Sequence, residues 1–215
     1  MKTILCFGDS NTWGWNPKDM SRYPPDQRWP GILKSGLDQS CCVIEEGLPG
    51  RTTVREDPFY AYKNGKTYLI PCLYSHAPID LVILMLGSNE LKSYFSLTAF
   101  EIAMGAGELV TVISQCEHGP FHSAPQVLLV APPSIAPHPG SELDVLFAGG
   151  KEKADLFGQY FHKVAIDTHC HFMDAGTLIK PSPVDGVHLD VEEHRALGMA
   201  LVSKVRDIFA GRGML

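Results

Sequence analysis

The sequence has no C-x-x-C pair, no internal repeat, no low-complexity tract and no stretch that reads as a linker between domains. Its apolar runs stop far short of the roughly 20 residues that a membrane-spanning helix needs, so no membrane association is expected. Lys and Arg together number 18 against 24 Asp and Glu, a net charge of −6. That balance offers no basic stripe for a phosphate backbone and argues against a nucleic-acid partner. The segment "MKTILCFGDS" has one lysine and an apolar run shorter than a secretory h-region, which points to a cytoplasmic protein. The six cysteines read as free thiols: Cys6 falls in a core strand, and adjacent Cys41 and Cys42 point to opposite faces of another. "HCH" at 169–171 lacks the second half of a zinc ligand set, so no metal is expected, and no cofactor. Neither glycine-rich phosphate-binding motif occurs in the first strand-to-helix turn, which disfavours a nucleotide-binding protein.

What is present is an ordinary globular composition, 45% hydrophobic and 20% charged over 215 residues, a length that suits a single domain spanning 1–215. Strand-length apolar runs recur at Thr3–Phe7, Cys42–Glu45, Leu81–Leu86, Gln126–Ala131 and His171–Met173, each followed by turn-forming residues. Helical spacing fills the intervals at Pro30–Leu37, Thr67–Ser75, Leu97–Cys116 and Lys151–Thr168, and Val191–Phe209 follows the last strand. "LVILML" is apolar throughout, as a strand covered on both faces must be. The alternation predicts a three-layer, doubly wound α/β fold with five parallel strands. Ligands in such folds bind beyond the carboxyl ends of the strands, at a topological switch point. Two irregular stretches, Asn11–Trp29 and Pro132–Gly150, are placed to form walls or a lid there.

The first strand runs into "ILCFGDSNTWGW", where Ser10 follows Gly-Asp and precedes two tryptophans. A serine at a strand end is by itself a turn residue or a helix cap, and only distant partners make it more. Three further blocks lie behind other strands: Gly50 in "EEGLPGRTT", Asn89 in "MLGSNE", and Asp185 with His188 in "PVDGVHLD". Residues three apart on a tight turn share a face, which puts a carboxylate beside an imidazole. Nucleophilic ester cleavage needs a hydroxyl, a base, a group that fixes the base's tautomer, and donors for the oxyanion. The blocks supply each: His188 deprotonates Ser10, Asp185 orients His188, and the Ser10 and Gly50 backbone N–H groups with the Asn89 side chain face the oxyanion. Gly50 has no Cβ to hold a ligand away from its backbone.

These four motifs, in this order, resemble the SGNH (GDSL-type) hydrolases, a family named for its serine, glycine, asparagine and histidine. The wording "ILCFGDSNTWGW", "RW", "EEGLPGRTT" and "DGVHL" is similar to the bacterial arylesterase and acyltransferase branch. The resemblance implies a flavodoxin-like sheet and carboxyl-ester hydrolysis without a metal. It also implies that bulky residues narrow the acyl pocket. Trp13 is the candidate wall, with Ile135 and Phe147 on the fourth loop as apolar lining. Glu90 departs from the family's third block, which has Asp there, and its extra methylene shifts a loop-bracing hydrogen bond. Asp9 is read as a brace for the serine loop, Arg51 as solvated or in a surface ion pair, and His194 as facing solvent. The expected substrate is a small short-acyl ester, hydrolysed through an acyl-enzyme that an alcohol can also resolve. Thioesters, lysophospholipids and acetylated sugars suit the same triad, and a non-catalytic ligand-binding module is the reading from another class. A homo-oligomer is compatible with the sequence.

Overall fold

A computed structural model describes residues 1–211. Five strands form one all-parallel sheet in the order β2-β1-β3-β4-β5: β1 (Lys2–Gly8), β2 (Cys41–Gly47), β3 (Leu81–Met85), β4 (Gln126–Ala131) and β5 (His171–Asp174). The helices are α1 (Ser10–Trp13), α2 (Trp29–Gly36), α3 (Gly65–His76), α4 (Ala99–Ser114), α5 (Glu142–Leu146), α6 (Gly150–Ala154), α7 (Phe157–Thr168) and α8 (Val191–Phe209).

Period-two alternation divides each central strand between two cores. Ile4, Cys6, Ile83 and Val130 pack under α2 and α8, while Leu5, Phe7, Leu84 and Leu129 pack under α3, α4 and α7. Trp29, fully buried at the start of α2, fills the first of these layers. A Thr98–Glu101 capping box starts α4 by satisfying exposed N–H groups at its first turn. The expected helix over Lys151–Thr168 is in fact two, α6 and α7, broken at Asp155 and Leu156. Asp155 there accepts from Ser134 and Lys151, which ties the break to the fourth loop. All six cysteines are free. Among the described residues no helix is long and apolar enough to cross a membrane.

The strand order reverses direction between β1 and β3, the switch point of the sheet. Ser10 leaves β1 there and Asn89 leaves β3, with the β2 and β5 loops converging from either side.

Candidate active site

Ser10 is the first residue of α1, set by an abrupt turn after β1. Asp9 caps this short helix, its Oδ1 accepting the Asn11 N–H at 3.0 Å. Burial pushes the Asp9 carboxyl up to about 6, against the Asn11 N–H and the charges of His188 and Arg51. The turn is held close to β2, where a methyl group at Gly47 would lie 2.2 Å from the Trp13 backbone nitrogen. Ser10 Oγ lies 3.0 Å from His188 Nε2, and His188 Nδ1 lies 2.6 Å from Asp185 Oδ2. The other carboxylate oxygen, Oδ1, accepts the Val187 and His188 backbone N–H groups at 2.9 Å each. Burial raises the Asp185 pKa, but the hydrogen bond and charge of His188 and the two N–H donors outweigh it and hold the carboxyl below its ordinary value. An ionised Asp185 and an Nδ1–H tautomer of His188 follow, which leaves Nε2 free to accept a proton from Ser10.

Gly50 sits in the turn after β2 with φ +80°, a left-handed conformation that accounts for glycine more directly than close ligand approach does. Among the described residues, the backbone N–H groups of Ser10 and Gly50 have no hydrogen-bond acceptor. Asn89, on the one-turn segment after β3, donates from Nδ2 to the Arg51 carbonyl at 3.0 Å. That bond uses one of the two amide hydrogens and aligns the other. Glu90 does brace a loop: fully buried, its Oε1 accepts from the Thr53 backbone N–H and from Thr53 Oγ1, the latter at 2.6 Å. Burial pushes its carboxyl up to about 7, with the Thr53 bonds opposing and the Asp9 charge adding.

Three expectations are corrected. Arg51 is buried, not solvated: its guanidinium donates to the Gly8 carbonyl at 2.9 Å and to the Glu46 carbonyl, and stacks over Phe7. It thereby ties the Gly50 loop to the strand that delivers Ser10. His194 is buried too, with its Nδ1 accepting the Trp29 N–H at 3.4 Å and the Tyr23 ring edge against it. Burial drives its pKa down to about 3, so it is neutral, helped by the charges of His188 and Arg28. Ile135 and Phe147, at 1% and 6% exposed, belong to the core under α4 and α7 and present no open surface to a substrate. The fourth loop turns inward because it braces the His188 loop, Ala136 N–H donating to the Gly186 carbonyl at 2.7 Å.

Trp13 is half-buried at the rim, with its ring 6.0 Å from Trp15 and beneath the Arg22 guanidinium. The residue that sequence reasoning passed over is Trp15, whose ring lies along His188 at 5.4 Å and 27°. Its signal was the second tryptophan of the opening motif. Arg51 gave less warning, because only its two carbonyl partners, from Gly8 and Glu46, reveal its task.

A Ser–His–Asp chain beyond the carboxyl edge of a doubly wound parallel sheet defines the class of α/β hydrolytic enzymes with a serine at the switch point. The chain belongs to the GDSL-like lipase/acylhydrolase family, whose model matches residues 6–196, and it is a hydrolase of carboxylic esters. It is 43% identical to the M. smegmatis aryl esterase, with a TM-score of 0.92 over 96% of this chain and 99% of that one. To a carbohydrate acetylesterase from Sinorhizobium meliloti it is 44% identical, with a TM-score of 0.93 over 97% and 100%. A carbohydrate acetylesterase family member from the same organism is 37% identical, with a TM-score of 0.92 over 98% and 100%. No curated protein matches significantly.

Proposed function

We propose that the chain is a serine esterase of small short-acyl esters, acting through an acyl-enzyme on Ser10. The observation that carries this is the continuous hydrogen-bonded path from Ser10 Oγ through His188 to Asp185. As Ser10 Oγ attacks the ester carbonyl, its proton passes to His188 Nε2, and the imidazolium formed is stabilised by Asp185. The negative charge on the carbonyl oxygen is met by the Ser10 and Gly50 N–H groups and the second amide hydrogen of Asn89. Collapse breaks the ester C–O bond while His188 returns the proton to the leaving alkoxide, which departs as an alcohol. Water then repeats the sequence and releases the acid; an alcohol in its place gives a new ester. Trp15 along the imidazole keeps one side of the base dry and limits its rotation.

Likeness to an aryl esterase and to a carbohydrate acetylesterase supports acetyl and other short acyl groups, and the second of them favours acetylated sugars as an alternative substrate. The six free cysteines suit a reducing compartment, the cytoplasm. The test is kcat/KM over p-nitrophenyl acetate to octanoate and an acetylated sugar. Each methylene gains about 0.8 kcal/mol of burial until the chain meets the wall. Activity is expected to peak from acetyl to butyryl and fall steeply by octanoyl, with Trp13→Ala moving the optimum to longer chains. An octanoyl optimum in the wild type overturns the short-acyl assignment, and an unchanged profile in the variant removes Trp13 from the wall.

A further inference from the structure

Outside the Ser10 site, one cluster among the described residues joins three side chains of metal-binding type. Glu46 lies near the end of β2, and Cys72 and His76 lie four residues apart on α3, so both project from the same face of that helix. One donor atom from each, a carboxylate oxygen, the thiol sulfur and an imidazole nitrogen, lie within 4.8 Å of one another. His76 Nε2 is 2.9 Å from Glu46 Oε1. The carboxylate is itself oriented, since Tyr68 OH donates to Glu46 Oε2 at 3.2 Å and leaves Oε1 turned toward the imidazole. Glu46 and Tyr68 also line a cleft of about 890 Å³ that provides a way in from solvent.

We propose that Glu46, Cys72 and His76 form a binding site for a borderline-soft divalent cation of the zinc class. A thiolate, an imidazole and a carboxylate are the ligand types that zinc takes, and three protein ligands leave a fourth tetrahedral position for water. Donor bonds of about 2.0–2.3 Å require small side-chain rotations to draw these atoms together. Binding releases the Cys72 proton, against the burial that opposes its ionisation, and the thiolate and Glu46 then set two negative charges against those of the ion and of the neighbouring Arg51 guanidinium. Among the described residues none of the three side chains hydrogen-bonds to Ser10, His188 or Asp185, while the cleft beside Glu46 is also lined by Arg51, which braces the Gly50 loop. The ligands are remote in sequence, which is why inspection for local Cys and His clusters, such as 169–171, does not find them.

The test is a titration of the reduced, chelator-treated full chain with Co²⁺, followed through the intense near-ultraviolet thiolate-to-metal band, and then displacement by Zn²⁺. One equivalent of Co²⁺ is expected to develop the band, which Zn²⁺ removes. Zn²⁺ at about a hundred times its dissociation constant is expected to raise Tm by roughly 5–10 °C. Cys72→Ser abolishes the band, and His76→Ala weakens binding by about tenfold or more. Circular dichroism establishes that each variant is folded, and if Cys72→Ser is not, His76→Ala on the partly exposed helix end decides. No saturable band in the wild type overturns the proposal. So does a band that persists unchanged in the folded variants, which would place the metal on other cysteines.

Discussion

Replacing Asp185 with Asn tests the division of labour within one carboxylate. Oδ1 is occupied by the Val187 and His188 backbone N–H groups, and Oδ2 faces His188 Nδ1. In the variant the amide oxygen must take the Oδ1 position, because an NH₂ there would oppose two N–H donors and strand both. At about 1–3 kcal/mol for each stranded group, that orientation is preferred by roughly 2–6 kcal/mol. The amide NH₂ then points at Nδ1 and makes it an acceptor. The imidazole proton moves to Nε2, 3.0 Å from Ser10 Oγ, where it blocks the transfer it should receive. The expected loss in kcat is about 10⁴-fold, or about 5.5 kcal/mol in the barrier. The turn around Asp185 survives, so Tm moves by only a few degrees. Steady-state hydrolysis of p-nitrophenyl acetate gives the first quantity, and ¹H–¹⁵N spectra of the imidazole give the tautomer. A kcat within tenfold of the wild type, or a proton still on Nδ1, refutes the reasoning.

Two further outcomes follow from buried contacts. The Glu90 carboxyl is raised from an ordinary 4.5 to about 7, so between these values the folded chain holds more protons than the unfolded one, and stability falls as pH rises through that window. Glu90→Gln keeps an acceptor for Thr53 and removes the titration; denaturant unfolding at pH 5 and pH 8 should show the difference shrink by roughly 1–3 kcal/mol, with a residual slope from Asp9, and identical slopes in both proteins count against it. Gly47→Ala puts a methyl group 2.2 Å from Trp13 N and 2.5 Å from its Cα, which forces the Ser10 helix to move. A loss of about 1–3 kcal/mol with a lowered kcat is expected, and an unchanged Tm would show that this packing is loose.

The sheet was legible because its strands announce themselves. β4 falls on Gln126–Ala131 as its apolar run predicts, and the other four expected runs lie within a residue or two of the observed strands. Ser10 and the Asp185–His188 pair were legible as two separate blocks, one after β1 and one after β5, since strand ends of a parallel sheet share one edge. Residues whose tasks depend on tertiary neighbours were not. Arg51 carries the same charge on a loop whether solvated or tied to two carbonyls, and Ile135 reads as pocket lining until the fourth loop is seen to fold against the His188 loop. His194 is different, because its spacing from Leu197, Gly198 and Leu201 put it on the buried stripe of α8, and that pattern outweighs the polar character of a single histidine. Helix α1 is only four residues long and has no periodicity to detect.

The central claim is that Ser10 is a nucleophile activated by His188. The direct measurement is labelling with a fluorophosphonate probe, followed by mass spectrometry of the intact chain and its peptides. One adduct per chain on the peptide holding Ser10, absent in Ser10→Ala and slowed by about 10³-fold or more in His188→Ala, is the predicted result. An adduct on another residue, or equal labelling of the wild type and Ser10→Ala, would contradict it.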